Sequence, residues 1–487
     1  MNYTGGEKMQ TCKTWINGKW VNAKSGKIFT TNNPATGEAI AEIPLCEKED
    51  VDMAVEAAGK ALPTWSRKSQ AERSDTLLRI SDTIATHIDE LAHADALTRG
   101  APFKTAPIDS RVMAQTFKYA AEVSRAFMGQ TIPASTDKVA FLQREPYGVC
   151  ALYVSWNGSL ISTAKKLSAA LATGNTCIIK APSVTSLTVL KFAEVLEKVG
   201  LPEGTVNVIT GPGGLTGEYL AAHPGIDMIS LTGGTETGKR VMSLASATLK
   251  HIGLELGGKN PCIVLEDADV DAAIANSLFL SFGNSGMTCT SIGRYYIHES
   301  LYSEFVDKFV DGAKKIVVGD PADEKTTMGP MISAEHRDKV EFYIKSGIQE
   351  GAKLVLGGQR PVNPPLDRGY YVMPTVFTEV TQSMKIAREE IFGPVACFLK
   401  YSSDDAVVDL ANDTSYGLAA YIWTKNVPHG IKMAKQIKAG SVGINGATIG
   451  AEYPWGGYKE SGLGKECSIM GMEEYVQYKL ISFDLSR

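Results

Sequence analysis

Val149-Cys150-Ala151-Leu152-Tyr153-Val154 is an apolar run that gives way to Ser155-Trp156-Asn157 and then to residues 160–173, whose apolar positions recur at helical spacing. The pattern reads as strand, polar loop and helix. It continues downstream. Apolar runs at 176–179, 205–209, 228–232 and 252–256 alternate with helical stretches at 186–199, 215–222 and 237–246, and Thr173-Gly174-Asn175 and Gly200-Leu201-Pro202 supply turns. Repeated βα units predict a doubly wound parallel sheet, because each helix carries the chain back to begin the next strand in the same direction. Such sheets bind ligands beyond the carboxyl ends of their strands, so chemistry is sought in the residues just after each apolar run.

Outward from this series, residues 260–465 carry a second one, with strands at 262–265, 295–298, 395–399 and 419–423 and helices at 270–283, 303–316 and 430–437. A second α/β domain is predicted. Residues 129–145 read as a hairpin with no helical partner, and residues 475–484 as a further strand. Two unaccompanied strands predict an arm that pairs with another subunit.

A chain of 487 residues exceeds one compact core, and 44% hydrophobic with 21% charged residues is the balance of a globular enzyme. The net charge of -5 gives no electrostatic reason to bind nucleic acid or an anionic membrane. No segment approaches the ~20 apolar residues that span a bilayer, and the start of the chain lacks a basic-then-apolar leader pattern, so a cytoplasmic protein is expected. The eight cysteines include no CxxC pair, and the seven histidines never reach HxxxH or HExxH spacing. Neither a disulfide framework nor a metal site is predicted.

Three positions stand out chemically. Cys289 lies in Gly283-Asn284-Ser285-Gly286-Met287-Thr288-Cys289, a loop of mostly small residues after a helix, where a thiol is reachable; Cys177 and Cys262 sit in strand-like runs and read as small buried hydrophobes. Glu255 ends an apolar run in Leu254-Glu255-Leu256-Gly257-Gly258-Lys259. A carboxylate desolvated there suits a general base, although a paired or capping glutamate is also compatible with the position. The amide of Asn157 is able to donate to an oxyanion, or simply to close a turn. Thr232-Gly233-Gly234-Thr235 opens a helix and fits pyrophosphate or a plain tight turn. Gly211-Pro212-Gly213-Gly214-Leu215-Thr216-Gly217 misses the GxGxxG spacing, so no standard dinucleotide fingerprint is present.

Taken in order, these motifs resemble those of the aldehyde dehydrogenase superfamily over nearly the whole chain. They are Trp156-Asn157, Gly233-Gly234-Thr235, the ELGGK box from Glu255 to Lys259, Gly286 to Cys289, Glu389 to Pro394, the Pro454-Trp455-Gly456-Gly457 stretch, and Asn33-Pro34-Ala35-Thr36-Gly37-Glu38. The resemblance implies an α/β fold of two doubly wound domains with a β-hairpin oligomerisation arm. A dinucleotide-binding domain would cover 1–127 and 147–257, a catalytic domain 258–465, and the arm 128–146 and 470–487, giving a homodimer or homotetramer. It implies that Cys289 attacks a small-molecule aldehyde, that Asn157 and the Cys289 N–H hold the oxyanion, and that Glu255 activates the water hydrolysing the thioester. Lys166 and Glu466 match a proton-relay pair. The cofactor would be NAD(P), held by Val154, Ser155, Trp156, Lys180, Ser183, Gly213, Gly217, Gly233, Gly234, Thr235, Leu256, Glu390 and Phe392. A thiol's ordinary pKa near 8.5 implies some lowering when ligands bind.

Two departures refine these expectations. After Lys180 the family usually carries a glutamate where this chain has Ser183, so a 2′-phosphate would meet no repelling carboxylate and NADP is expected to be accepted. Gly158 and Ser159 replace a bulky Phe-Pro after the asparagine. By resemblance Gly158, Ser162, Lys165, Gly283, Ile449 and Trp455 face the substrate tunnel, and small residues at 158, 162 and 283 predict a bulky or aromatic aldehyde. Lys165 supports a rival, a semialdehyde bearing a carboxylate, and equally fits a solvated helix lysine. Acyl transfer to coenzyme A is disfavoured by Glu255, and a non-catalytic scaffold by the joint presence of Cys289, Glu255 and Asn157.

Overall fold

The computed structural model describes residues 9–446 and 450–486. Five parallel strands in the spatial order His251–Glu255, Met228–Thr232, Val149–Tyr153, Thr176–Lys180, Val206–Ile209 form the centre of the first sheet. Every residue of Val149–Tyr153 is buried. Cys150 and Leu152 pack into the core on one face, while Ala151 and Tyr153 pack on the other. Burial on both faces is why this run is continuously apolar rather than alternating. The parallel series starts at this central strand, works outward to Val206–Ile209, and returns to Met228–Thr232 on the other side. The order therefore reverses beside Tyr153, and the loops after Tyr153 and Thr232 meet in one crevice.

Two antiparallel additions complete this sheet. Thr14–Ile16 and Lys19–Val21 extend one edge, and Gly462–Leu463 adds to the other, with Glu255 opposite Gly462. The second sheet has six parallel strands, ordered Thr375–Thr378, Val395–Tyr401, Ile292–His298, Asn260–Val264, Ala419–Trp423 and Ser441–Ile444, with Lys353–Leu356 antiparallel at its edge. Both predicted α/β units are thus present. The predicted hairpin forms from Gln130–Ile132 and Lys138–Pro146, and Val476–Asp484 pairs along the full length of the longer strand. Residues 468–473 are helical, so the last strand begins at Val476.

Several element bounds differ from the sequence reading for local reasons. The helix expected at 215–222 is confined to Glu218–Ala222, after a wide turn at Gly213–Gly217 whose glycines disfavour regular helix. That expected at 430–437 starts at Val427, because Asn426 accepts from the His429 N–H and Pro428 suits a first turn. Four helices unforeseen from the sequence, Lys48–Ser66, Gln70–Thr86, Ile88–Arg99 and Pro107–Ser124, surround the first sheet together with those of its βα units. No helix among the described residues is long and apolar enough to cross a membrane.

Candidate active site

Helix Val270–Phe282 runs out into the turn Gly283–Gly286, which leads to Cys289 and the strand Ile292–His298. Asn284 (φ 49°), Ser285 (φ 56°) and Gly286 (φ 72°) are consecutive in the left-handed region. For residues other than glycine this costs on the order of 1 kcal/mol each, so outside bonds must hold the turn. Ser285 Oγ donates to Gly329 O (2.8 Å), and Asn284 Nδ2 donates to Met287 O (3.0 Å) and Asn157 O (3.1 Å). At Gly286 a Cβ would lie 2.3 Å from the Gly393 carbonyl group, so glycine is required by conformation and by space. Cys289 is half-buried. Its carbonyl accepts from Asn260 Nδ2 (2.8 Å), while its N–H has no acceptor among the described residues. Asn157 Nδ2 donates to Met287 O (3.1 Å), which sets the amide against the nucleophile turn. Burial pushes the Cys289 thiol up to about 12, and the charge of Lys165 is what chiefly pulls it back. Without ligands, then, the thiol is raised rather than lowered.

Glu255 ends its strand at 5% exposure with no hydrogen-bond partner for either carboxylate oxygen among the described residues. Burial drives its pKa well above the ordinary 4.5, the negative charge of Glu466 adds to the rise, and Lys166, Lys165 and Lys465 oppose it. The edge pairing with Gly462 and the close approach of Gly456, where a Cβ would stand 2.6 Å from Glu255 Oε1, bring the C-terminal motif over this carboxylate. Trp455 and Glu466 exchange backbone bonds at 2.8 and 2.7 Å. The Glu466 carboxylate pairs with the buried Lys166 ammonium, which also donates to Ser230 Oγ at 3.0 Å. The two relay candidates are in contact, close enough to Glu255 to shift it.

At the crevice of the first sheet, Tyr153 OH donates to Gly217 O (2.7 Å), and a Cβ on Gly217 would come within 3.9 Å of Lys180 Cε. Lys180 is 6% exposed and makes no side-chain hydrogen bond among the described residues; burial lowers its ammonium to about 8. Ser183 Oγ donates to Gly211 O (3.2 Å). Gly213 and Gly234 face open space, and Gly234 leads into the helix Thr235–Ala245. Gly233 N–H is bound to Glu255 O (3.0 Å), Thr235 Oγ1 donates to Glu460 O (3.3 Å), and Leu256 N–H donates to Ser461 O (2.9 Å). Val154 N–H reaches Lys180 O (3.4 Å). Glu390 Oε1 accepts from Gly258 N–H (2.9 Å), and Gly257 leaves the room that this carboxylate occupies. Phe392 meets Trp156 edge-on at 5.3 Å. A buried ammonium with no ion pair among the described residues, beside the glycine turn Gly213–Gly217, fits an anionic dinucleotide.

The tunnel candidates differ among themselves. Gly158 and Gly283 leave space: a Cβ at 158 would touch nothing within 4 Å, and one at 283 would touch only the Phe279 ring at 3.7 Å. Ser162 is buried, and its hydroxyl accepts from Ser155 N–H (3.4 Å) at the strand end. Lys165 Nζ lies 5.4 Å from the centroid of Trp455 and forms no ion pair among the described residues. Ile449 lies outside the described residues. Sequence reasoning missed Asn260, which grips the carbonyls of Cys289 and Ser291 (both 2.8 Å), and also Ser230 and Arg99. A polar residue opening a fully buried strand was the available signal for Asn260.

The sequence model of the aldehyde dehydrogenase family matches residues 20–481. A betaine aldehyde dehydrogenase of Bacillus subtilis (strain 168) is 39% identical over 469 residues, covering 96% of each chain. An NAD+ complex of an aldehyde dehydrogenase from Bacillus cereus superposes with a TM-score of 0.96 at 38% identity, covering 98% of this chain and 97% of that one. A betaine aldehyde dehydrogenase of Staphylococcus aureus in complex with NAD+ gives 0.96 at 35% identity, covering 98% and 95%. With a cysteine, a carboxylate and an asparagine brought together as described, and with these likenesses spanning the whole fold, the chain belongs to the aldehyde dehydrogenase family of oxidoreductases.

Proposed function

We propose that this enzyme converts an aldehyde to its carboxylic acid through a thioester on Cys289, with water as the acyl acceptor. The observation that carries the reading is Glu255, a buried carboxylate with no partner on either oxygen among the described residues, beside the Lys166–Glu466 pair. The Cys289 thiol releases its proton to water, the resulting thiolate adds to the carbonyl carbon, and the carbonyl π electrons move to oxygen. The free Cys289 N–H and the Asn157 amide, once it turns from Met287 O, donate to that oxyanion. When bound, NAD(P)+ supplies the hydride acceptor that leaves a thioester on the sulfur. Glu255 then takes a proton from water, the hydroxide adds to the acyl carbon, and the thiolate departs; Lys166 and Glu466 offer the proton an exit. The residues that would hold the cofactor are Lys180, Gly213, Gly217, Gly233, Gly234 and Thr235 for the adenosine and phosphate end, and Leu256, Glu390, Phe392, Val154, Ser155 and Trp156 toward the ring.

The substrate reading is an aldehyde that carries a carboxylate. Lys165 is an ammonium above the Trp455 ring with no direct ion pair among the described residues, so an anion is attracted and the cationic aldehyde named for the betaine relatives is opposed. The open space at Gly158 favours a second reading, a bulky aromatic aldehyde. NADP is read as an alternative cofactor, since Ser183 is turned to Gly211 O and a phosphate would supply the anion Lys180 lacks. The arm, with Ile132, Val139, Leu480 and Phe483 exposed, is read as the surface joining copies into a dimer or tetramer. The experiment is a kcat/KM panel with both cofactors. A carboxylated aldehyde should exceed betaine aldehyde by about tenfold or more, with NADP within a hundredfold of NAD and no thioester product when coenzyme A is added. Preference for betaine aldehyde defeats the substrate reading, and NADH production by Cys289→Ser defeats the mechanism.

A further inference from the structure

Arg99 is the last residue of the helix Ile88–Arg99 and is 5% exposed. Two carboxylates hold its charge. Nε donates to Asp95 Oδ2 (2.9 Å), and Nη2 is shared between Asp95 and Asp109 Oδ2 (2.7 Å). That leaves Nη1, which points away from both acids to Asn284 Oδ1 (2.8 Å) and to the Asn157 carbonyl (3.4 Å). One guanidinium therefore touches the turn that presents Cys289 and the residue whose amide faces it.

The donor pattern decides how Asn284 sits. A guanidinium has no acceptor, so the side-chain oxygen of Asn284 must face Arg99. Its Nδ2 is then turned to two carbonyls, Asn157 O and Met287 O. Were the amide reversed, its oxygen would stand against both carbonyl oxygens, and the left-handed turn at Asn284 and Ser285 would lose its brace. The Met287 carbonyl is the same acceptor that Asn157 Nδ2 uses. Arg99, Asn284, Met287 and Asn157 thus form one closed hydrogen-bonded circuit, anchored from outside by Asp95 and Asp109.

We propose that Arg99 is a positioning residue for the nucleophile: by fixing the Asn284 amide it locks the Cys289 turn in register with the oxyanion donor Asn157. This rests on the reading of Cys289 as the nucleophile. Asp95 and Asp109 take no part in the chemistry and serve to orient the guanidinium fork.

Arg99→Lys tests the proposal, because it keeps a cation between the two acids while an ammonium lacks the planar fork needed to bridge them to Asn284. Asn284→Gly is the second variant; glycine accepts the left-handed conformation and removes only the amide. Each should lower kcat about 30-fold, the scale of a small misplacement of a reacting group, with KM for NAD+ within about twofold. Each should also slow alkylation of Cys289 by iodoacetamide. The double variant should be no worse than the poorer single one, since both break one circuit. A kcat within threefold of wild type in Asn284→Gly, or losses that multiply in the double variant, overturns the proposal. Cys289→Ser is measured alongside: turnover retained there removes the nucleophile reading itself, whereas a dead Cys289→Ser beside fully active Arg99 and Asn284 variants removes only this inference.

Discussion

Cys289 stands at the end of a turn forced through three left-handed residues and tied from outside to Gly329, Asn157 and Asn260, whereas Glu255 ends a regular strand and its carboxylate has no hydrogen-bond partner among the described residues. The two groups lie in the same buried region, yet the protein treats them oppositely. A nucleophile must stand in one place relative to a carbonyl carbon, so bonds are spent on its backbone and the sulfur is left free. A base must keep its appetite for a proton, and every hydrogen bond given to a carboxylate reduces that appetite. The strand fixes where Glu255 stands, and burial together with the charge of Glu466, unopposed by any hydrogen bond among the described residues, sets how basic it is.

The widest break of this comparison is Glu255→Gln, which keeps the shape and removes the proton acceptor. Steady-state turnover should fall by about 10³, while a pre-steady-state burst of NADH near one equivalent per site persists, because the sulfur still adds and only the water step is lost. A burst that vanishes with turnover would show the base also setting the nucleophile. The folded pKa of Glu255 lies above the ordinary 4.5, so the fold favours the neutral acid. The stability this contributes is complete below 4.5 and is lost as pH rises through the folded value. The glutamine variant has no such loss, so its Tm should exceed that of wild type by a margin that widens from pH 5 to pH 9, readable by calorimetry.

Gly286→Ala sharpens the other side. An added methyl meets the Gly393 carbonyl group at 2.3 Å and places alanine at a φ of 72°. A Tm lower by about 4 °C and a kcat lower by about 100-fold are expected, with slower alkylation of Cys289. Normal alkylation with a lowered Tm would mean that the turn serves stability and not the placement of the sulfur.

The contrast also explains what the sequence disclosed. Strands buried on both faces announce themselves as continuous apolar runs, and Glu255 was visible because it interrupts one. Cys289 was visible because small residues and glycines surround it. The bonds that position it were not, because they join distant segments: Arg99 and Asn284 are 185 residues apart. An arginine in a helix's last turn looks like ordinary complement to the helix dipole. The strand Gly462–Leu463, two residues long, leaves no periodic signal, yet it carries Gly456 and Glu466 to Glu255.

Lys165 lies between the two regions, since its charge lowers both the Cys289 thiol and the Glu255 carboxyl. It is the smallest lever on the comparison and the most discriminating. Neighbouring anionic groups hold its own ammonium above the ordinary lysine value, so it stays charged across the working pH range. Lys165→Met removes that charge and raises the thiol further above about 12, so less thiolate is present at every pH below that value. Alkylation of Cys289 should slow by roughly fivefold, less than one pKa unit's worth. The ratio to wild type should stay constant from pH 7 to pH 10, because both thiols remain mostly protonated there and each rate rises tenfold per pH unit. A ratio that drifts with pH would mean that a group titrating inside that window, rather than the fixed charge of Lys165, governs the sulfur. A ratio of one would place the ammonium's influence on the incoming substrate alone.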